Sequence, residues 1–165
     1  MASRLCLARR WVTRAGAALG ACCLLVLAYI PAQPACAQGA PQALSAPQLA
    51  QGARGALDAL LAAYTSGQTQ QAEMMLDIAM IGRQVLADQM RVSLAQHSQM
   101  RMTLRDAQST VGDDVVLLSV NWEKRFLLLP AQSPGLRTGH AVFMWQRGRD
   151  GWRLIGLSGD SPFAP

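Results

Sequence analysis

Two aspartates and two histidines are the side chains of this sequence best suited to move protons. Asp77, in "LDIAMIGR", is separated from Arg83 by a predicted bend. A carboxylate held there, at the mouth of an apolar cavity, would have its pKa raised and could act as a general base. His97 and His140 are the only histidines, and either could exchange a proton near neutral pH. Asp160 lies in the closing stretch "GWRLIGLSGDSPF", where it could be a rim acid or a ligand anchor. Each candidate has a competing structural reading. Asp77 can end a helix beside a surface Arg83, His97 can be a polar helix end, and His140 an exposed strand residue. Asp160 followed by Ser-Pro suits a turn whose carboxylate accepts nearby backbone N–H groups, with Phe163 tucked back.

Ligand-walling groups are easier to find than reacting ones. Met90 is an adaptable thioether, and Trp122 and Trp152 are large rings with one polar handle each. Arg83 could hold the polar end of a ligand. Neither histidine stands at metal-ligand spacing, and Asp113-Asp114 reads as a turn pair. A Gly-rich phosphate loop and a Gly-x-Ser-x-Gly elbow are both missing. The expectation is no metal and no cofactor.

The elements that must position these residues follow from periodicity. "SAPQ" reads as a helix start, with Ser45 and Gln48 as a capping box and Pro47 in the first turn. Leu49, Ala53, Ala56, Leu57, Leu60, Leu61 and Tyr64 then recur at helical spacing. Gly52 and Gly55 permit close packing, and Gly67 is the stop. Thr69 is the expected cap of a short second helix, "QQAEMMLD". "IGRQVLADQMRVSLAQH" predicts a third, its apolar face made by Leu86, Met90 and Leu94 with Ile81 and Val85 beside them. The period then changes to two. Met100, Met102 and Leu104 alternate with Arg101, Thr103 and Arg105. Val116, Leu118, Val120 and Trp122 alternate with Ser119, Asn121, Glu123 and Arg125. "WEKR" combines a cavity-wall tryptophan with a solvated opposite face or the rim of a partner surface. "PAQSPG" breaks that strand, and "HAVFMWQR" and "GWRLIGLSG" form a hairpin around "GRDG". The fold class is α+β: three N-terminal helices packed on a curved four-stranded antiparallel sheet, cone-like.

The first residues are of another kind. Arg4, Arg9, Arg10 and Arg14 precede the apolar run Ala15 to Ile30, and Ala35 and Ala37 form an A-x-A site. The expectation is a signal peptide over residues 1–37, a flexible tether over 38–44 and one domain over 45–163. The run is shorter than the roughly 20 residues of a spanning helix. The full chain carries +5. Cleavage after Ala37 removes four of the basic side chains, no acidic one and all four cysteines. That leaves a near-neutral protein without the basic stripe that nucleic acid requires and without disulfides. The expected place is the periplasm or the exterior. A lipid on Cys36, or an uncleaved anchor over Ala15 to Ile30, is the alternative and the only membrane link.

Helices first, a meander of long curved strands and the closing "DGWRLIGLSGD", Asp150 to Asp160, resemble the nuclear transport factor 2-like superfamily, the SnoaL-like, cystatin-like cone. The resemblance covers roughly Ser45 to Phe163. The chain departs from it at "LDIAMIGRQ", which leaves little room for the strand or hairpin that many members insert there. The resemblance implies a cavity between sheet and helices. It implies no one activity, because isomerases, dehydratases, hydrolases and non-enzymatic partners share the fold. The leading expectation is an exported envelope module that binds a small apolar ligand or an envelope protein, with a homodimer through the exposed sheet face as a further partner. The alternative is a small isomerase or hydrolase using Asp77 or a histidine as base.

Overall fold

The structure is a computed structural model that describes residues 44–165. The expected signal peptide, its expected cleavage site, the cysteines and most of the expected tether lie outside the described residues.

Helix α1 (Ala46–Thr65) starts as its sequence asks: Gln48 Oε1 accepts the Ser45 backbone N–H at 2.9 Å and the Ser45 hydroxyl at 3.0 Å. Ala53, Leu57, Leu60, Leu61 and Tyr64 form its buried face. Gly52 lies under the Trp152 indole so closely that a Cβ there would stand 2.6 Å from Nε1. Gly55 meets nothing, so the close packing expected of it is absent. After Gly67, α2 (Thr69–Met74) is capped by Gln68, with the expected cap Thr69 already inside the helix. Helix α3 (Arg83–Gln96) buries Leu86, Ala87, Met90 and Ser93. Ile81 and Val85, expected on its apolar face, are 96% and 62% exposed. The helix begins only after Gly82, which leaves Ile81 in the preceding loop, and the inward stripe at i, i+4 and i+7 turns Val85 outward.

Strands β1 (His97–Val111), β2 (Val115–Leu128), β3 (Ser133–Gly148) and β4 (Gly151–Gly159) form one antiparallel sheet in the order β1-β2-β3-β4. Register shifts in β1 after Ser98 and after Arg105 mark bulges, which bend a strand and increase its twist. Strand β3 starts well before the expected "HAVFMWQR": Pro134 lies inside it, opposite Leu127. Proline is tolerated there because β4 pairs β3 only from Ala141 onward, so the first half of β3 is an edge on that side.

The helices cover the concave face of this sheet. Leu57, Leu60 and Tyr64 from α1 and Met90 from α3 meet Val116, Val120, Phe143, Trp145 and Leu154 in one core. The short "LDIAMIGRQ" loop still contributes a strand-like contact. Leu76 makes a single parallel bridge to Leu154, with the Asp77 N–H on Leu154 O and the Leu154 N–H on Met75 O, both at 2.9 Å. After β4 the chain turns back across the concave face. Pro162 and Phe163 are fully buried there, the Phe163 ring standing edge-on to Tyr64 at 5.0 Å and to Phe143 at 6.4 Å.

Candidate functional site

Alternation along β2 does not stop at Trp122. The inward face reads Val116, Leu118, Val120, Trp122, Lys124 and Phe126, and all six are buried. Lys124, which the sequence reading assigned to neither face, therefore belongs to the core face. Lys124 has no measurable exposure. Among the described residues no carboxylate pairs with it. Its ammonium donates to Ser93 Oγ at 3.3 Å and to the backbone carbonyl of Ala164 at 2.8 Å.

Ser93 joins three other groups. Its Oγ lies 2.7 Å from the Tyr64 hydroxyl, 3.0 Å from His97 Nδ1 and 3.3 Å from Lys124 Nζ. One donor and two acceptor positions are what a serine hydroxyl has, so all three contacts can be met at once. Helix α1 supplies Tyr64 from its last turn. Helix α3 supplies Ser93, and His97 follows at i+4 as the first residue of β1. His97 is 4% exposed and its ring sits 3.9 Å from that of Phe126. It was expected as a polar helix end. The inward stripe of α3 continues through the helix-strand junction and carries it into the core.

Electrostatics follow from burial. Desolvation, with a smaller contribution from Arg137, lowers the Lys124 pKa to about 8. Burial first, then the charges of Lys124 and Arg137, lowers that of His97. Burial raises the Tyr64 phenol. The interior thus favours neutral forms while holding cations.

Arg137 completes the site. It is the register partner of Lys124 on β3, so two cations stand opposite one another, an arrangement that costs stability by itself. Arg137 donates to Pro165 O. Glycines flank it along β3. A Cβ at Gly135 would stand 2.4 Å from the Phe126 ring and one at Gly139 would stand 2.6 Å from the Trp122 ring. The two rings lie over the glycines on either side of the cation pair. "GLRTG" against "WEKRF" is therefore a pad of two cations framed by two aromatics, and Ala164 and Pro165 rest against it.

The other expected site residues lie elsewhere. Asp77 is half-buried, and its Oδ1 accepts the Ala79 N–H at 2.8 Å in a local turn. Arg83 begins α3 with its Nε buried and without a hydrogen-bond partner among the described residues, and it forms no ion pair with Asp77. Asp160 is exposed, and its Oδ2 accepts the His140 N–H at 3.1 Å. Its carbonyl accepts the Trp122 indole N–H at 2.9 Å. His140 is exposed on the outer sheet face, 2.8 Å from Ser119 Oγ. Met90 is fully buried core, Trp122 lies beside the cation pair, and Trp152 packs on α1 at the other end of the sheet. Of the expected residues, the structure brings His97 and Trp122 into one neighbourhood. It adds Tyr64, Ser93, Lys124 and Arg137, for which the sequence reading had named no site role. Open hollows of about 420, 400 and 320 Å³ lie along the surface, and none is lined by Tyr64, Ser93, His97 or Lys124.

No family model matches the chain, and no curated protein matches it. Solved structures do. A nuclear transport factor 2-like superfamily protein from Salmonella enterica serovar Typhimurium is similar at a TM-score of 0.64 and 11% identity, over 72% of this chain and 94% of that one. A Streptomyces avermitilis protein of the same family, named as a candidate dehydratase, is similar at 0.60 and 15%, over 68% and 95%. The association domain of calcium/calmodulin-dependent kinase II from C. elegans is similar at 0.53 and 13%, over 67% and 94%. At these identities the likeness is one of fold: the chain has the nuclear transport factor 2-like cone.

Proposed function

We propose that this chain is an exported cone-fold binding module that holds a small ligand with an apolar body and does not turn it over. One observation carries the reading. The concave site offers recognition groups, namely two cations, two aromatic rings and a hydroxyl-imidazole cluster, yet among the described residues no Asp or Glu side chain reaches it to act as acid or base. Asp77 and Asp160, the carboxylates an enzyme of this fold would have needed, are engaged with backbone N–H groups outside it. His97 and Lys124 are the remaining bases, and both are engaged within the fold, His97 Nδ1 with Ser93 and Lys124 Nζ with Ser93 and the Ala164 carbonyl. The leader pattern supports export, with the exterior or the periplasm as the working place. For a partner protein, the outer sheet face is the surface on offer, where Leu136 and Met144 are exposed beside His140; a second copy of the chain is the occupant we assign to it.

The test is a thermal-shift screen with small apolar molecules carrying neutral, acidic or basic groups. Hits are incubated with the protein and weighed by mass spectrometry. Saturable stabilisation with the hit recovered unchanged is the expected result. Conversion by the native chain that His97→Gln abolishes would make it an enzyme, and a screen in which nothing stabilises it would end the reading.

A further inference from the structure

Of the 15 lysines and arginines in the sequence, Lys124 is the only lysine. Among the described residues it is also the only one of them that the fold buries completely. An arginine there would stay charged at any working pH. A lysine can give up its proton, and a desolvated lysine amine is a nucleophile toward carbonyl carbon. Burial, more than the neighbouring Arg137, lowers the Lys124 pKa to about 8. That leaves roughly a few hundred times more free amine at neutral pH than an exposed lysine has. The surroundings suit this chemistry. Nζ meets Ser93 Oγ at 3.3 Å and the Ala164 peptide carbonyl at 2.8 Å, both neutral groups that can be exchanged for a ligand's polar atom. Ser93 Oγ in turn lies 3.0 Å from His97 Nδ1 and 2.7 Å from the Tyr64 hydroxyl, a path along which protons leave Nζ and return. Apolar rings complete the wall. The Phe126 centroid is 5.6 Å from Nζ, and Phe163 stands edge-on to Tyr64 and Phe143. Phe163 lies beyond the last strand and outside any helix, so it can move without disturbing the sheet.

Resting on the binding reading above, we infer that this site takes a small aldehyde with an aromatic or branched apolar body and holds it as a reversible imine on Lys124 Nζ. Phe163 moves aside, and the ligand's body takes its place between Tyr64 and Phe143. The neutral amine adds its lone pair to the carbonyl carbon. The C=O π pair becomes an alkoxide, which takes up the first amine proton by way of Ser93. The resulting carbinolamine loses its hydroxyl together with the second N–H proton as water, and the C=N bond forms. Nothing is oxidised or reduced, and the aldehyde's oxygen leaves in that water. A site closed to solvent slows the return of water to the imine, so the ligand is held and is released intact when the step reverses.

The probe is 3-phenylpropanal, with 3-phenylpropanol as its unreactive twin. Cyanoborohydride reduces an imine to a secondary amine and so fixes it in place. With a single lysine in the sequence, peptide mapping by mass spectrometry has two amines to tell apart, Lys124 Nζ and the chain's α-amine. In the folded native chain near neutral pH, Lys124 should be labelled about tenfold or more faster than the α-amine, because the slot holds the aldehyde against Nζ. An excess of the alcohol, which takes the slot without reacting, should slow that labelling about tenfold. In guanidinium chloride the order should reverse, since an ordinary lysine keeps its proton at this pH. Labelling confined to the α-amine in the folded chain overturns the proposal. So does labelling of Lys124 that is no faster folded than unfolded, or that the alcohol does not slow. Stabilisation by the alcohol in the thermal-shift screen without labelling of Lys124 would sink this inference alone and leave the binding reading standing.

Discussion

Lys124 and Arg137 face each other across β2 and β3, and Lys124, the buried one of the two, donates to the Ala164 carbonyl and pairs with no carboxylate among the described residues. Sheets normally place opposite charges, or none, at such a position. Keeping Lys124 in the core disfavours the folded state, since burial penalises an ammonium and the neighbouring guanidinium penalises it further. A position that costs stability and makes no ion pair within the described residues is where a fold most often keeps a function.

Lys124→Met measures that cost. A pKa lowered from 10.5 to about 8 corresponds to about 3 kcal/mol of destabilisation while the lysine is charged. The unfolded chain keeps its proton to higher pH than the folded one. Between the two pKa values the unfolded state therefore binds more protons, and stability rises with pH. Urea titrations of the native chain should show that rise from pH 8 towards pH 10, above which the raised Tyr64 phenol works in the opposite direction. Lys124→Met should lack the rise. At pH 7 it should be more stable by about 1–2 kcal/mol, since an apolar side chain replaces an unmatched cation at the loss of a hydrogen bond worth about 1 kcal/mol. A Met variant less stable than the native chain and still pH-dependent would show that Lys124 is neutral or solvated in the fold.

The helices, the strands and the α+β class were legible because periods of 3.6 and 2 are written in runs such as Leu57, Leu60, Leu61 and Tyr64, or Val116 to Trp122. The site was less so. Lys124 is in phase with Val116, Leu118, Val120 and Trp122, and following the alternation two residues further would have placed it inside. A charge on a core face runs against the cost of burial, and phase prevails because Ser93 and Ala164 supply acceptors. Ser93 and His97 extend the Leu86 and Met90 stripe in the same way, so that signal too was present. Arg137 was out of reach of periodicity. Pro134 and two glycines disguise the first half of β3, and only the pairing with β2 reveals which face the arginine occupies. The path of residues 161–165 across the concave face is a tertiary contact with no local signature beyond an apolar Phe163.

The leader makes its own prediction. Expressed in a bacterial host, the exported protein should begin near Gln38 and contain no cysteine, as read by intact mass and terminal sequencing. A mass that includes Met1, or a lipid on Cys36, would tie the domain to a membrane instead.

Asp160 separates a structural carboxylate from a functional one. It ends β4 after Gly159, which has a φ of +84° and sits so close to β3 that a Cβ would stand 2.5 Å from His140 O. At that junction the Asp160 N–H donates to His140 O at 2.8 Å, and Oδ2 accepts the His140 N–H at 3.1 Å. The carboxylate thus continues the ladder where the strand has run out, and it sets the direction in which residues 161–165 leave. Asp160→Asn keeps an acceptor oxygen and should melt within a degree or two of the native chain. Asp160→Ala loses the bond and should be destabilised by about 1 kcal/mol. Affinity for a hit of the thermal-shift screen should fall in neither, because the Asp160 carboxylate is spent on the His140 N–H. A well-folded Asp160→Asn protein whose affinity for such a hit drops about a hundredfold, some 2.7 kcal/mol, would make Asp160 a ligand contact at the rim.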